Sequence, residues 1–293
     1  MNLIYPQKLN KGDTLGVAAP ASPFDREYFE KGVRALEAMG FDVFIPDAVW
    51  DVTGFLAGTD EHRASALYDL FENPDIQGIV CARGGYGTLR LLDRLDFGTI
   101  RNNPKPFIGF SDVTALLSVF HQFAGLISYH GPVVCSLASS DDASLASFES
   151  ILKTGGGIID AEEGTVICPG TAEGILKGGN LATLCHLAGT AYAPDFNGSI
   201  LMLEDVGEAP YKVDRMLTQM KMAGFFENIR AVVGGRFEGC GQAQDIQAVF
   251  SHVFGDLDIP VAFNFNFGHG TANRSFPVGV PARFDTDSLS VVF

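Results

Sequence analysis

The sequence predicts an α/β protein in two parts: an N-terminal domain built as a doubly wound parallel sheet, then a smaller, barrel-like α+β domain. Three observations predict it. From Thr14 to about Phe123, short and wholly apolar runs alternate with helical patterns, as in a parallel sheet covered on both faces. Past residue 153 the chain becomes glycine-rich and the long apolar helices stop. The 293 residues, 46% hydrophobic and 19% charged, are also enough to bury a sizeable core. The first domain is expected over residues 1–155, a crossover linker over 156–175 and the second domain over 176–293.

TLGVAAP, from Thr14 to Pro20, is a run of small and β-branched residues stopped by proline, hence a buried strand. Over residues 25–39, Phe29, Val33, Leu36 and Met39 fall on one face of a helix that Gly40 ends. FDVFIP is the next strand, HRASALYDLFEN a helix with Ala66, Leu67, Leu70 and Phe71 on one side, and IQGIVCA a third apolar strand. A glycine-rich turn, an LRLLDRL helix, a PFIGF strand and a VTALLSVFHQF helix follow. YHGP, Tyr129 to Pro132, is expected to be a turn. In the second domain GSILMLEDV and AVVGGRF are strands around the helix YKVDRMLTQMKMAG, whose apolar face is Val213, Met216, Leu217 and Met220. IPVAFNFNFGHG and the terminal SVVF continue the strands.

Twenty Lys and Arg against 35 Asp and Glu leave a net charge of −15, and the pI is near 4.7. Nucleic acid and anionic membranes both need a net basic face, so neither is an expected partner. No run of 18 apolar residues exists, which argues against a membrane-spanning helix, and the N-terminus lacks the pattern of a secretory signal. The five cysteines form no CxxC pair, and the six histidines show no metal-ligand spacing. The expectation is a protein of a reducing compartment, the cytoplasm, with no metal and no cofactor.

Four segments could carry chemistry. KPFIGFSDVTALL sets Ser111 on a sharp strand-to-helix turn, where a nucleophile is presented at the sheet edge; alternatively, Ser111 or Asp112 merely caps the helix. GIVCARGGYG places Arg83, Gly84 and Gly85 at the carboxyl end of the preceding strand, where glycines can turn N–H groups toward a ligand or simply make a tight βα turn. That edge is where open parallel sheets bind ligands. In SILMLEDVGEAP, Glu204 directly ends a very apolar strand, and a carboxylate there needs a partner such as an imidazole N–H; Glu208, in the following loop, is its rival. FGHG puts His269 on a flexible turn from which it could reach across an interface as a general base, or lie idle on the surface.

Together these segments resemble the LD-carboxypeptidase family, which includes muramoyltetrapeptide carboxypeptidases and microcin C self-immunity peptidases. The resemblance rests on GDTLGVAAPASP, ARGGYGTLRLLDRLDF, KPFIGFSDVTALL, YHGP, LKGGNLATL, LMLEDVGEAPYKVDRML and FGHG, in that order along nearly the whole chain. It implies a flavodoxin-like first domain and a barrel-like second one. It also implies a Ser-His-Glu triad of Ser111, His269 and Glu204, with the backbone N–H groups of Gly85 and Asp112 as oxyanion donors. The first domain would then supply the nucleophile and the second the base and its orienter, so the site belongs in the cleft between them.

The implied substrate is a short peptide with an L-residue before a D-residue, commonly the diaminopimelate to D-alanine link of recycled murein tetrapeptide. The expected assembly is a homodimer. An exopeptidase must recognise a free carboxylate, and Arg83 and Arg274 are the nearest cations in sequence to the implied site. Two other readings compete. A self-immunity-type amidase acting on peptidyl-nucleotides would want an aromatic to stack on a base, and residues 155–174 contain none. A non-catalytic nucleotide- or sugar-binding protein would not need Ser111, Glu204 and His269 intact.

Overall fold

The computed structural model describes residues 2–293. The first half forms β1 (Thr14–Ala18), α1 (Arg26–Ala38), β2 (Asp42–Phe44), α2 (Asp60–Glu72), β3 (Gly78–Cys81), α3 (Phe97–Asn102), β4 (Phe107–Gly109), α4 (Thr114–Val119), β5 (Ser128–His130), α5 (Val134–Leu137) and α6 (Asp142–Thr154). The second half forms β6 (Ile158–Asp160), β7 (Thr165–Cys168), β8 (Thr171–Asn180), α7 (Leu181–Leu187), β9 (Ser199–Val206), α8 (Pro210–Met222), β10 (Ala231–Glu238), α9 (Ala243–Phe254), β11 (Val261–Phe263), β12 (Phe276–Val278), β13 (Pro281–Asp285) and β14 (Ser290–Val292).

The first sheet has the order β12-β5-β4-β3-β1-β2, with β1 to β5 parallel and β12 antiparallel to β5. This is the doubly wound, flavodoxin-like arrangement. Right-handed crossovers put α1 on one face, against α5, and α2 on the other, against α3. The inner strands β3 and β4 are apolar because both their faces are covered: Ile79, Val80, Phe107 and Ile108 are all fully buried, whereas the edge strand β2 leaves Asp42 and Phe44 exposed.

The second sheet has the order β6-β14-β13-β8-β9-β10-β11-β7, with a parallel centre and antiparallel flanks. Its two edge strands, β6 and β7, are adjacent in the chain, joined by residues 161–164. Laid flat, eight strands would span about 34 Å, far beyond the roughly 17 Å that so short a link can reach. The sheet must therefore curl until its edges approach, and the Asn266 N–H donates to the Asp160 carbonyl across the gap. That is the barrel-like second domain.

Several local expectations change. The 156–175 stretch is no linker: it holds β6, β7 and the start of β8, held by partners distant in sequence rather than by an apolar run of their own. LRLLDRL lies in a 3-10 helix over Thr88–Arg94, because Gly87 (φ +134°) and the pinning of Thr88 to Asp112 fix its start. The VTALLSVFHQF helix is α4 with a 3-10 turn before it and a π-helical turn after it, closed by left-handed Gly125. YHGP is no simple turn, since Tyr129 and His130 belong to β5 between β4 and β12. The alternating FNFNF stops as a strand at Phe263, because Asn264 turns at φ +72°.

One hydrophobic core spans the first sheet and its junction with the second, from Leu15 and Phe107 to Leu176 and Phe284. Another lies under α8 and α9, with Leu203, Val213, Leu217, Phe250 and Phe254. Among the described residues no helix is long and apolar enough to cross a membrane, and all five cysteines are free thiols.

Candidate active site

Beyond β4 the chain passes Phe110 and turns sharply at Ser111, whose φ of +62° is rare for a residue with a side chain. Such a left-handed residue costs about 1 kcal/mol, which its surroundings must offset. Asp112 supplies the hold. Its buried carboxylate accepts the Thr88 N–H at 2.9 Å, and the Thr88 hydroxyl donates to its carbonyl at 2.6 Å. Neither Ser111 nor Asp112 caps the following helix through its side chain; Asp112 instead ties the Ser111 turn to the loop after β3.

That loop lies directly on Ser111. A Cβ on Gly84 would stand 2.8 Å from the Ser111 Cβ, so glycine is what permits the approach. Gly85 is left-handed (φ +106°), and a side chain there would strike Ser22. Ser22 also fastens the loop: its N–H donates to the Gly84 carbonyl at 3.3 Å, and its hydroxyl accepts the Tyr86 N–H at 3.1 Å. Below it, buried Arg63 donates to the carbonyls of Pro20 and Gly87 and pairs with Asp60 at 2.5 Å. Among the described residues the N–H groups of Gly85 and Asp112 donate to nothing in the chain.

Glu204 lies near the end of β9 and is fully buried, as the apolar run before it predicts. Its Oε2 is 2.6 Å from the His269 Nδ1 and also accepts the His269 backbone N–H at 3.2 Å. The close approach depends on Gly268 (φ +107°), where a Cβ would come within 2.7 Å of the Glu204 Cβ. Glu208, by contrast, faces Lys212 at 3.2 Å, away from the imidazole. Next to Glu204, the Asp205 carboxylate accepts from the Asn180 side chain and from the Ala182 and Val206 N–H groups, bracing the strand end.

The electrostatics follow from burial and pairing. Burial pulls the His269 pKa down, but the charge and hydrogen bond of Glu204 outweigh it and hold the imidazole above its ordinary value. Burial likewise pushes Glu204 up, and the His269 contact more than reverses that, leaving a carboxylate below its usual range. Asp205, buried beside the Glu204 charge, is pushed up to about 6. His130, buried in the aromatic setting of Phe110, Phe267 and Phe276, is lowered to about 4 by desolvation and so is a neutral packing residue near neutral pH.

Ser111 and His269 line one cleft of about 660 Å³, together with Gly85, Arg83, Phe24 and Tyr28. The His269 ring packs on Phe110, the residue before Ser111, with centroids 4.8 Å apart. The segment after His269 locks the two halves together. Arg274 donates to Asp141 at 2.8 Å and to Ser144 at 3.0 Å, Asn273 N–H donates to Ser144 Oγ, and β12 enters the first sheet. Of the sequence candidates, Ser111, Gly85, Asp112, Glu204, His269 and Arg83 therefore converge, whereas Arg274 and Glu208 have structural partners elsewhere. Gly84, named with its loop, acts by packing on Ser111, whereas Gly268, Asn180 and Phe110 were not expected to take part. Their only signal was position: Gly268 and Phe110 adjoin His269 and Ser111, and Asn180 lies in the LKGGNLATL segment. Among the described residues no His, Cys, Asp and Glu cluster suited to a metal occurs.

With this geometry established, comparison with known proteins gives a consistent result. Residues 15–131 match the LD-carboxypeptidase N-terminal domain and residues 173–284 the LD-carboxypeptidase C-terminal domain. The chain is 34% identical to a probable murein peptide carboxypeptidase of Bacillus subtilis, over 98% of this chain and 93% of that one. It is 36% identical to the murein tetrapeptide carboxypeptidase of Pseudomonas aeruginosa, over 94% of each chain. The crystal structure of an MccF-like protein from Bacillus anthracis superposes with a TM-score of 0.92 at 27% identity, covering 99% of both chains. Both domains match in order and relatives align nearly end to end, so the chain belongs to the LD-carboxypeptidase family of peptidases.

Proposed function

We propose that this protein is a serine-type carboxypeptidase that hydrolyses an L,D-peptide bond and releases terminal D-alanine from murein tetrapeptide. The observation that supports it most is the buried Glu204–His269 pair, 2.6 Å apart, opening onto the same cleft as Ser111. In this reading His269 Nε2 takes the proton of the Ser111 hydroxyl as Oγ attacks the scissile carbonyl carbon. The oxyanion is received by the unpaired N–H groups of Gly85 and Asp112. His269 returns the proton to the departing nitrogen, the C–N bond breaks and D-alanine leaves. Water, deprotonated by His269, then opens the acyl-enzyme and restores Ser111. Glu204 keeps Nδ1 protonated and stabilises the imidazolium. The five free thiols fit the reducing compartment proposed for this role, the cytoplasm.

The decisive experiment incubates the purified protein with L-Ala-D-Glu-diaminopimelate-D-Ala and follows D-alanine by mass spectrometry. Release of D-alanine alone is expected, with the L-Ala epimer scarcely cut and the tripeptide product not trimmed; ready cleavage of the epimer would refute the stereochemistry. The second reading, hydrolysis of a peptidyl-nucleotide, draws on the MccF-like fold and on Phe24 and Tyr28, aromatic rings in the cleft wall able to stack on a base. A peptidyl-adenylate in the same assay separates the two, and the tetrapeptide is expected to be the better substrate.

The pH profile carries a further expectation. The base must be neutral to accept the Ser111 proton, and Glu204 favours the imidazolium, so kcat/KM should rise with pH along a limb whose midpoint lies above the ordinary 6.5 of histidine. A midpoint below 6.5 in a pH series would contradict this role for the pair.

A further inference from the structure

A carboxypeptidase differs from an endopeptidase in requiring a free terminal carboxylate, and nothing in the Ser111, His269 and Glu204 arrangement reads one. A chain of net charge −15 repels carboxylates, so recognition needs a fixed local cation. Among the residues lining the cleft, Arg83 is the sole lysine or arginine. Arg274, the other cation near the site in sequence, is spent on Asp141 and Ser144.

Arg83 is held without being neutralised. One Nη1 hydrogen goes to the Pro23 carbonyl at 2.7 Å, which orients the guanidinium. No carboxylate lies within 4.0 Å of it among the described residues, so its charge and the rest of its donor fork remain available. Asp25, the acidic residue of the cleft wall, uses Oδ1 to accept the Glu27 and Tyr28 N–H groups at the start of α1. Arg83 directly precedes Gly84, the residue packed on Ser111, and is two residues from the Gly85 N–H. Arg83 and Ser111 line the same cleft, so a guanidinium there suits a carboxylate one residue beyond the attacked carbonyl, a span of about 3–4 Å per residue.

We infer that Arg83 is the specificity-determining residue that binds the terminal carboxylate of the leaving D-residue, so that the loop after β3 measures one residue from nucleophile to chain end. This rests on the peptidase reading above, but makes a separate claim about one interaction. Its test compares the tetrapeptide with its C-terminal amide, which keeps the scissile bond and removes the charge. Wild type should prefer the acid by about 100-fold in kcat/KM, the scale of a two-pronged charge-assisted contact. In Arg83→Gln the acid should fall by about that factor and the amide should barely change, erasing the preference; Arg83→Lys should restore part of it. Equal losses on acid and amide, or a preference that survives in Arg83→Gln, would overturn the inference. So would a wild type that cuts acid and amide alike, although the peptidase reading would stand. Failure of wild type to cut either peptide would refute the peptidase reading itself.

Discussion

Replacing Ser111 with alanine should lower kcat by about 10³–10⁶-fold while KM and the melting temperature barely move, the pattern expected when a nucleophile is removed. The left-handed turn at position 111 is held by Asp112, Thr88 and Gly84, none of which needs the serine hydroxyl. Alanine is strained there about as much as serine, so the substitution deletes chemistry without remodelling the loop. EDTA should leave the wild type unaffected. Retention of most activity by the alanine variant, or chelator inhibition reversed by zinc, would require a different mechanism.

Glu204→Gln should cost about 10²–10⁴-fold in kcat, whereas Glu208→Gln should stay within about 2-fold. The contrast follows from the hydrogen-bond inventory. Glutamine can turn an NH₂ group toward the His269 Nδ1, which then accepts rather than donates, and Nε2 is left protonated and unable to act as base. Glu208 only faces Lys212 in a half-exposed pair near the surface, of small energetic value. Steady-state kinetics of both variants, with circular dichroism to show that the buried substitution still folds, measure the difference. Equal losses would assign the orienting role to Glu208.

The first domain was legible because its strands are buried on both faces and so appear as unbroken apolar runs: LGVA, GIVC and FIG all became strands where those runs lie. The second domain was legible only at its centre. SILMLEDV and AVVGGRF are covered on both sides, but β6, β7 and β12 have three or four residues each and owe their conformation to partners far along the chain. Their own sequences, IID, TVIC and FPV, carry too little pattern to identify a partner. At the candidate site the residues with evident chemistry were visible singly, as a serine on a turn, a carboxylate after an apolar strand and a histidine between glycines. What no local pattern encodes is their convergence. That depends on backbone approaches of the kind Gly84 and Gly268 allow, and on Arg274 being drawn off to Asp141.

β12 has a consequence for how the molecule comes into being. A ribosome delivers β1 to β5, with Ser111 among them, well before the strand that pairs with the outer edge of β5. Through that interval the nascent chain presents an unpaired strand edge, the kind of surface that invites association with other chains. The residues that cover it, Phe276 to Val278, closely follow His269 and leave the ribosome almost together with it. Completion of the sheet and arrival of the imidazole are thus nearly the same event in synthesis. On the mechanism proposed above, a chain cut short before that point would have both an exposed edge and a serine without its base, so a partly made copy would be a target for chaperones and would carry no hydrolytic activity of its own.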